Sequence, residues 1–253
     1  MKIMVHAFPP ATLPGLAAED LDTFYEPLLQ SINDQKLKII LRKETGTMGT
    51  ISMEGEHLSC FLLPRFLSPK LSDAYWSELQ SDPNLQQRQV RIFGLKDEPR
   101  LTAWYGDPQA TYTYSGKTMN PLPWTPTLRS MKEAIEAVGL LKGTTTRFTS
   151  VLINLYRDGN DRQGWHSDDE RELGPFPIIG SISLGQSRRF RLRLKSNPHR
   201  RLEMRLPHGS LLIMRGETQT FWQHDVPKAT QREKKEWGNG CRINLTFRVI
   251  RCE

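Results

Sequence analysis

Cysteine is scarce and poorly placed for bonding: Cys60, Cys241 and Cys252 are the only three in 253 residues. An odd count with no Cys-x-x-Cys pair argues against a disulfide framework and against a thiolate zinc site, and it fits a reducing compartment. Long apolar runs are missing too. None approaches the ~18 residues that a bilayer-spanning helix needs, and Met1-Lys2-Ile3-Met4-Val5-His6-Ala7 is broken by Pro9-Pro10 before it forms a secretory core. The expectation is an intracellular protein with no membrane phase, cytoplasmic in a bacterium and nuclear, cytoplasmic or both in a eukaryote. Internal repeats are absent. Negative charge is the scarcer sign, 28 Asp and Glu against 35 Lys and Arg, for a net +7. The surplus is local: between Gln186 and Arg205, Arg188, Arg189, Arg191, Arg193, Lys195, Arg200, Arg201 and Arg205 stand against Glu203 alone. That density calls for a polyanionic partner.

The length suits one catalytic domain with an N-terminal extension. Residues 1–56 show no sustained period and read as that extension, partly disordered, with a short helix over Leu21–Ile32. Residues 57–253 read as the domain. Ser68-Pro69 and Thr125-Pro126 are N-caps followed by a proline at the first helical position. Leu71, Tyr75, Trp76 and Leu79 then mark one helix face, and Leu128, Met131, Ile135 and Val138 are spaced for burial, the second helix ending near Gly139. Short strands are expected at 90–94, 101–106 and 111–116, then at 148–156, 177–184, 190–194, 202–206, 211–214, 220–226 and 242–250. Many short strands with glycine and proline turns make the fold class mainly β with flanking helices. The expected core is a jelly-roll double sheet that holds a ligand between its sheets.

The densest chemistry is Trp165-His166-Ser167-Asp168-Asp169-Glu170, after the apolar run 150–156. If the chain stays extended, His166 and Asp168 point to the same side and aim at one ion. His224, in Phe221-Trp222-Gln223-His224-Asp225-Val226-Pro227, is the third candidate. His208 is its rival, although Pro207-His208-Gly209-Ser210 reads as a turn. Two imidazoles and one carboxylate leave three positions open, the arrangement of non-haem Fe(II) oxygenases. Along Arg242-Ile243-Asn244-Leu245-Thr246-Phe247-Arg248, donors alternate with apolar residues, a strand suited to holding a dicarboxylate beside the metal. The two segments together read as an iron and 2-oxoglutarate site.

With those residues in order, the chain from Phe93 to Arg248 resembles the AlkB-type Fe(II)/2-oxoglutarate-dependent dioxygenases. The resemblance rests on Pro99-Arg100-Leu101-Thr102-Ala103-Trp104-Tyr105-Gly106, Tyr112-Thr113-Tyr114-Ser115, Asn154-Leu155-Tyr156 and the segments at 165–170, 222–228 and 242–248. It is similar in particular to the animal DNA/RNA repair demethylase branch. The resemblance implies a double-stranded β-helix core with an N-terminal nucleotide-recognition lid, about residues 88–120. It places Fe(II) on His166, Asp168 and His224, and 2-oxoglutarate on Asn154, Tyr156, Arg242, Asn244 and Arg248. The substrate base falls on Trp104, Tyr112, Tyr114, Asp169 and Glu170. Phe93, at a turn, is a candidate wedge for the place a flipped base vacates.

The implied reaction is oxidative demethylation of N-alkylated bases such as 1-methyladenine and 3-methylcytosine in DNA. It uses O2 and releases succinate, CO2 and formaldehyde. Methylation at these ring positions makes the base cationic, so Asp169 and Glu170 would complement damage and not an intact base. The expected partner is DNA carrying alkylated bases, or RNA by the same chemistry, met by a monomer. A catalytically inactive oxygenase fold serving as a nucleic-acid-binding module is the reading from another class.

Overall fold

The computed structural model describes residues 4–6, 29–33, 38–44, 47–91, 94–114, 117–138, 141 and 146–251. In chain order these form β1 (Met4–His6), β2 (Leu29–Asn33), β3 (Lys38–Glu44), β4 (Thr47–Gly55), β5 (Leu58–Leu63), α1 (Pro69–Leu79), β6 (Gln89–Arg91), β7 (Leu95–Asp97), β8 (Leu101–Gly106), β9 (Tyr112–Tyr114), β10 (Lys117–Met119), β11 (Leu122–Pro123) and α2 (Pro126–Glu136). The C-terminal half continues with β12 (Ser150–Tyr156), β13 (Gln163–His166), β14 (Ile179–Gly185), β15 (Arg188–Leu194), β16 (Asn197–Leu206), β17 (Ser210–Met214), α3 (Thr218–Phe221), β18 (Trp222–Val226), α4 (Gln231–Trp237) and β19 (Arg242–Arg248). Ten strands make the larger sheet, ordered β1-β3-β4-β5-β17-β14-β19-β12-β8-β11, and five the smaller, ordered β13-β18-β15-β16-β2. Hairpins β6–β7 and β9–β10 stand outside both. Mainly antiparallel pairing in two facing sheets is the expected jelly roll.

Period-2 alternation decides which layer each side chain joins. On β19, Ile243, Leu245 and Phe247 pack with Val151, Ile153 and Leu155 of β12 against the helices, whose contribution includes Leu79, Leu128, Met131 and Ile135. The intervening residues of both strands face the smaller sheet. A second apolar cluster lies there, with Phe190, Leu192 and Leu194 of β15 and Leu202, Met204 and Leu206 of β16. The helices start where the sequence says: the Ser68 hydroxyl accepts from the Leu71 amide and the Thr125 hydroxyl from the Leu128 amide, each ahead of a proline. No helix among the described residues is long and apolar enough to cross a membrane.

The N-terminal boundary differs from the expectation. Residues 38–44 and 47–55 are not an appendage: β3 pairs with β4, and β4 with β5 through Ile51↔Leu62 and Met53↔Cys60. Ile51 and Met53 are fully buried. A Glu56-His57 turn, with His57 at φ +58°, closes the β4–β5 hairpin, so the domain includes part of what reads as extension. The helix expected over Leu21–Ile32 is replaced at its end by β2, which pairs with β16 and covers what would be the bare edge of the smaller sheet; residues 21–28 lie outside the described residues. Residues 220 and 221, expected as the start of a strand, belong to one helical turn over Thr218–Phe221, and α4 with its Thr230–Glu233 capping box was not anticipated. Within the expected lid, β8 is a strand of the larger sheet bonded to β12, while the β6–β7 and β9–β10 hairpins flank it in sequence.

Candidate active site

Between the sheets lies a cavity of about 160 Å³. The residues that line it are those turned away from the helices: Trp104 from β8, Asn154 and Tyr156 from β12, and Arg242, Asn244, Thr246 and Arg248 from β19. His166 and His224 enter from the smaller sheet.

The two histidines are a direct cross-strand pair, His166 on β13 opposite His224 on β18, with ring centroids 4.1 Å apart. Such pairing brings side chains within reach of one ion. Asp168 joins them from the irregular segment beyond β13, which ends at His166, so the extended continuation assumed from the sequence stops two residues early. His224 Nε2 lies 3.9 Å from Asp168 Oδ2, and one ligand atom from each of His166, Asp168 and His224 falls within 4.8 Å of the others. His166 Nδ1 donates to the Gly164 carbonyl at 2.9 Å, which leaves Nε2 as the free ligand. Arg248 Nη2 donates to Asp168 Oδ1 at 2.5 Å. His208 is excluded as a ligand: its Nδ1 accepts the amide of Gly185, a residue at φ +78°, and its Nε2 faces Asp73 Oδ1 at 3.1 Å. It fastens the β14–β15 turn.

Farther along the cavity, Tyr156 on β12 stands opposite Arg242 on β19, with the guanidinium 5.2 Å from the ring centroid. Arg242 is 1% exposed. Its Nη2 donates to Ser183 Oγ at 2.9 Å, but Nε and Nη1 have no hydrogen-bond partner. A buried cation with two idle donors is incomplete by itself and fits a carboxylate that arrives from outside the chain. Asn154 Oδ1 accepts from Arg100 Nε at 2.7 Å, so its amide donors are kept for the cavity. Asn244 lines the cavity, yet its Nδ2 donates to Ser181 Oγ and the Ile182 carbonyl, and its Oδ1 accepts from Thr246.

These residues fit the cofactors the sequence suggests. Three ligands of nitrogen and oxygen type with no fourth His, Cys, Asp or Glu in the cluster, among the described residues, suit a ferrous ion that must also take substrate ligands. Their protonation suits it as well. Burial, with His166 beside it, holds the His224 imidazole down at about 3, so it is neutral near pH 7. Burial works to raise the Asp168 carboxyl, but Arg248 with His224 and His166 outweighs it and holds the group at about 2.

A pH dependence follows for the metal-free protein. Because the folded His224 value lies below the ~6.5 of an unfolded histidine, the unfolded chain takes up the proton first, and stability falls as pH drops from there toward 3. Asp168 adds its own loss below about 4. The melting temperature should decline through that range, with up to ~1.4 kcal/mol per pH unit from His224. His224→Gln should flatten the decline between pH 6.5 and 4; parallel curves for the two proteins would refute the burial argument.

Of the expected substrate contacts, Trp104 and Glu170 line the cavity. Asp169 does not. It is exposed, and its carboxylate pairs with Lys195 Nζ at 3.0 Å. Tyr112 and Tyr114 belong to β9, whose backbone pairs them with Met119 and Lys117; their side chains, and Phe93 altogether, lie outside the described residues. Sequence reasoning gave no role to Glu98 and Arg100, which line the cavity at 5% and 6% exposure and are joined by a 3.2 Å ion pair. Opposite charges flanking Pro99 directly before a strand were the available signal. The arginine cluster is largely spent on partners within the chain. Arg191 forms a two-pronged pair with Asp225, Arg189 meets Glu203 and Glu233, and Arg191 and Arg193 both stack on Trp165.

Comparison with known proteins agrees with this geometry. Residues 59–248 match the 2OG-Fe(II) oxygenase superfamily. Human alpha-ketoglutarate-dependent dioxygenase alkB homolog 3 is 42% identical over 199 residues, which is 75% of this chain and 65% of the human one, so the chain spans just under two thirds of that relative. The human DNA oxidative demethylase ALKBH2 is 44% identical over 169 residues, 64% of this chain and 60% of its own. The solved structure of OsALKBH1 superposes with a TM-score of 0.51 at 20% identity, covering 75% of this chain and 96% of that one, a likeness of fold. With the family match taking in most strands of both sheets and every residue of the triad, the chain belongs to the 2OG-Fe(II) oxygenase superfamily.

Proposed function

We propose that this protein removes alkyl groups from the ring nitrogens of damaged bases in DNA, 1-methyladenine and 3-methylcytosine being the type substrates, and so reverses alkylation directly. The observation that carries the reading is one cavity that holds the His166–Asp168–His224 triad, Arg242 with its two unpartnered donors, the Trp104 ring and the Glu170 carboxylate. Relatives named as an AlkB homolog 3 dioxygenase and a DNA oxidative demethylase support the same assignment. Fe(II), 2-oxoglutarate and O2, bound together, supply the oxidation of an N-methyl group, with succinate, CO2 and formaldehyde as the products released.

The chain's own residues do the rest. Arg242 and Asn154 present donors to a dicarboxylate, and Arg248 keeps the Asp168 carboxylate ionised and oriented. The reacting methyl sits on the pairing edge of the base, so the nucleotide must leave the stack. That costs a few kcal/mol, least where the lesion has already broken the pair. Aromatic stacking returns ~1–3 kcal/mol per base, and Trp104, 2% exposed yet lining the cavity, supports that role. Glu170 favours the cationic lesion, since an ion pair worth ~1 kcal/mol in water strengthens as water is excluded. The free thiols of Cys60 and Cys241 support an intracellular site of action, and we assign a monomer, which light scattering would read as 29.2 kDa.

The test is incubation with Fe(II), 2-oxoglutarate and oligonucleotides carrying either lesion, as DNA and as RNA, single and double stranded. Loss of methyl from DNA with matching formaldehyde is expected. Retained binding with no loss from any oligonucleotide would point to the inactive module, and loss from RNA alone would move the substrate class. Glu170→Gln should lower activity on 1-methyladenine on the order of tenfold more than on a neutral etheno lesion, the discrimination expected of ~1–2 kcal/mol. Equal losses on both would remove the charge argument. Asp169→Asn, a carboxylate already matched by Lys195, should discriminate far less.

A further inference from the structure

Three consecutive residues around the aspartate ligand are each tied to the short segment that leads into the second histidine ligand. The Ser167 hydroxyl donates to the Trp222 carbonyl at 2.9 Å. The Asp168 amide donates to Gln219 Oε1 at 2.9 Å. The Asp169 carboxylate accepts from Lys195 Nζ at 3.0 Å, and the same ammonium donates to the Gln219 carbonyl at 3.1 Å. Gln219 is thus held at both its backbone and its side chain, and it is 1% exposed, with Nε2 facing Met214 Sδ at 3.5 Å.

We infer that Gln219 is a positioning residue for the metal centre, the point at which the segment bearing Asp168 is locked to the segment bearing His224. The inference rests on the iron reading of the triad. Its physical content is a division of labour. Arg248 orients the Asp168 carboxylate from the larger sheet, and Gln219 fixes the backbone beneath that carboxylate from the α3 turn that leads into β18. A buried amide has few alternatives to a partner already in place, because leaving an N–H unmet inside the protein costs ~1–3 kcal/mol. The ligand therefore waits near its working position before any ion arrives, and less ordering is left for binding to accomplish. Groups that hold ligands in this way are typically worth about 10–100-fold in metal affinity.

The experiment is calorimetric titration of the metal-free protein with Co(II), an air-stable substitute for Fe(II), on the wild type and four variants. Gln219→Leu keeps the volume and removes the acceptor; Co(II) affinity should fall on the order of tenfold. Gln219→Glu restores an acceptor of the same reach and should recover most of that loss. Lys195→Met cuts the outer tie from the surface without touching the core, and a severalfold loss is expected. With saturating Co(II), 2-oxoglutarate affinity should stay within about twofold in all three, which general damage to the fold would not allow. Unchanged Co(II) affinity in whichever of Gln219→Leu and Lys195→Met remains folded overturns the inference, as does a matching fall in 2-oxoglutarate affinity. His224→Ala is the separate control: if wild type and His224→Ala bind Co(II) alike, it is the iron reading that fails.

Discussion

Replacing His224 with alanine is expected to lower turnover by at least about a thousandfold, roughly 4 kcal/mol on the barrier, while affinity for an alkylated oligonucleotide changes by less than about threefold. The two numbers separate because the two functions draw on different parts of the molecule. His224 is 6% exposed, packed against His166 and Phe190 and 3.9 Å from Asp168, so its surroundings are those of the proposed metal centre. Nucleic-acid affinity comes chiefly from phosphates meeting cationic side chains on the outside, and no such contact runs through an imidazole between two sheets. Folding should survive: the His224 Nδ1 has no hydrogen-bond partner, so the substitution removes an unmet polar atom along with the ring. Anisotropy binding curves and single-turnover demethylation, run on the same preparation, read both quantities. A collapse of binding in step with activity would make His224 a structural or substrate contact and would undo the metal assignment.

The alternation along β12 and β19 made the heart of the site readable in advance. On β19 the residues that face the helices had to be Ile243, Leu245 and Phe247, which left Arg242, Asn244, Thr246 and Arg248 for the cavity, and no tertiary knowledge was needed to say so. Proline after an N-cap hydroxyl located α1 and α2 for an equally local reason. What escaped depended on partners distant in sequence. Residues 29–33 carry no strand signal strong enough to stand alone, and they become β2 only because β16 offers an open edge more than 160 residues later. The charge of Asp169 and the arginines of β15 looked available for ligands because Lys195, Asp225, Glu203 and Glu233 are brought to them by folding. The same applies to Gln219, an uncharged residue in a polar stretch whose significance comes only from its contact with the Asp168 amide.

Arg242→Met should raise the KM for 2-oxoglutarate by two to three orders of magnitude and, in the absence of 2-oxoglutarate, leave the protein at least as stable as the wild type. Both effects have the same source. The guanidinium is almost wholly enclosed, burial pulls it down to about 10 despite Tyr156 beside it, and two of its nitrogens have nothing to donate to. An enclosed cation in that condition is a cost to the empty fold, which methionine, of similar length and apolar, does not carry. When a dicarboxylate arrives the balance reverses, since removing one partner of a buried charge pair costs about 2–5 kcal/mol, roughly 30-fold to several-thousandfold in affinity. Arg242→Lys keeps the charge but loses the planar fork, and it should fall between the two. Melting temperatures with and without 2-oxoglutarate make the comparison directly: the wild type should gain stability from the ligand and Arg242→Met should gain almost none. If the variant keeps both the wild-type KM and the wild-type ligand-induced shift, the dicarboxylate sits elsewhere in the cavity and the idle donors of Arg242 require another explanation.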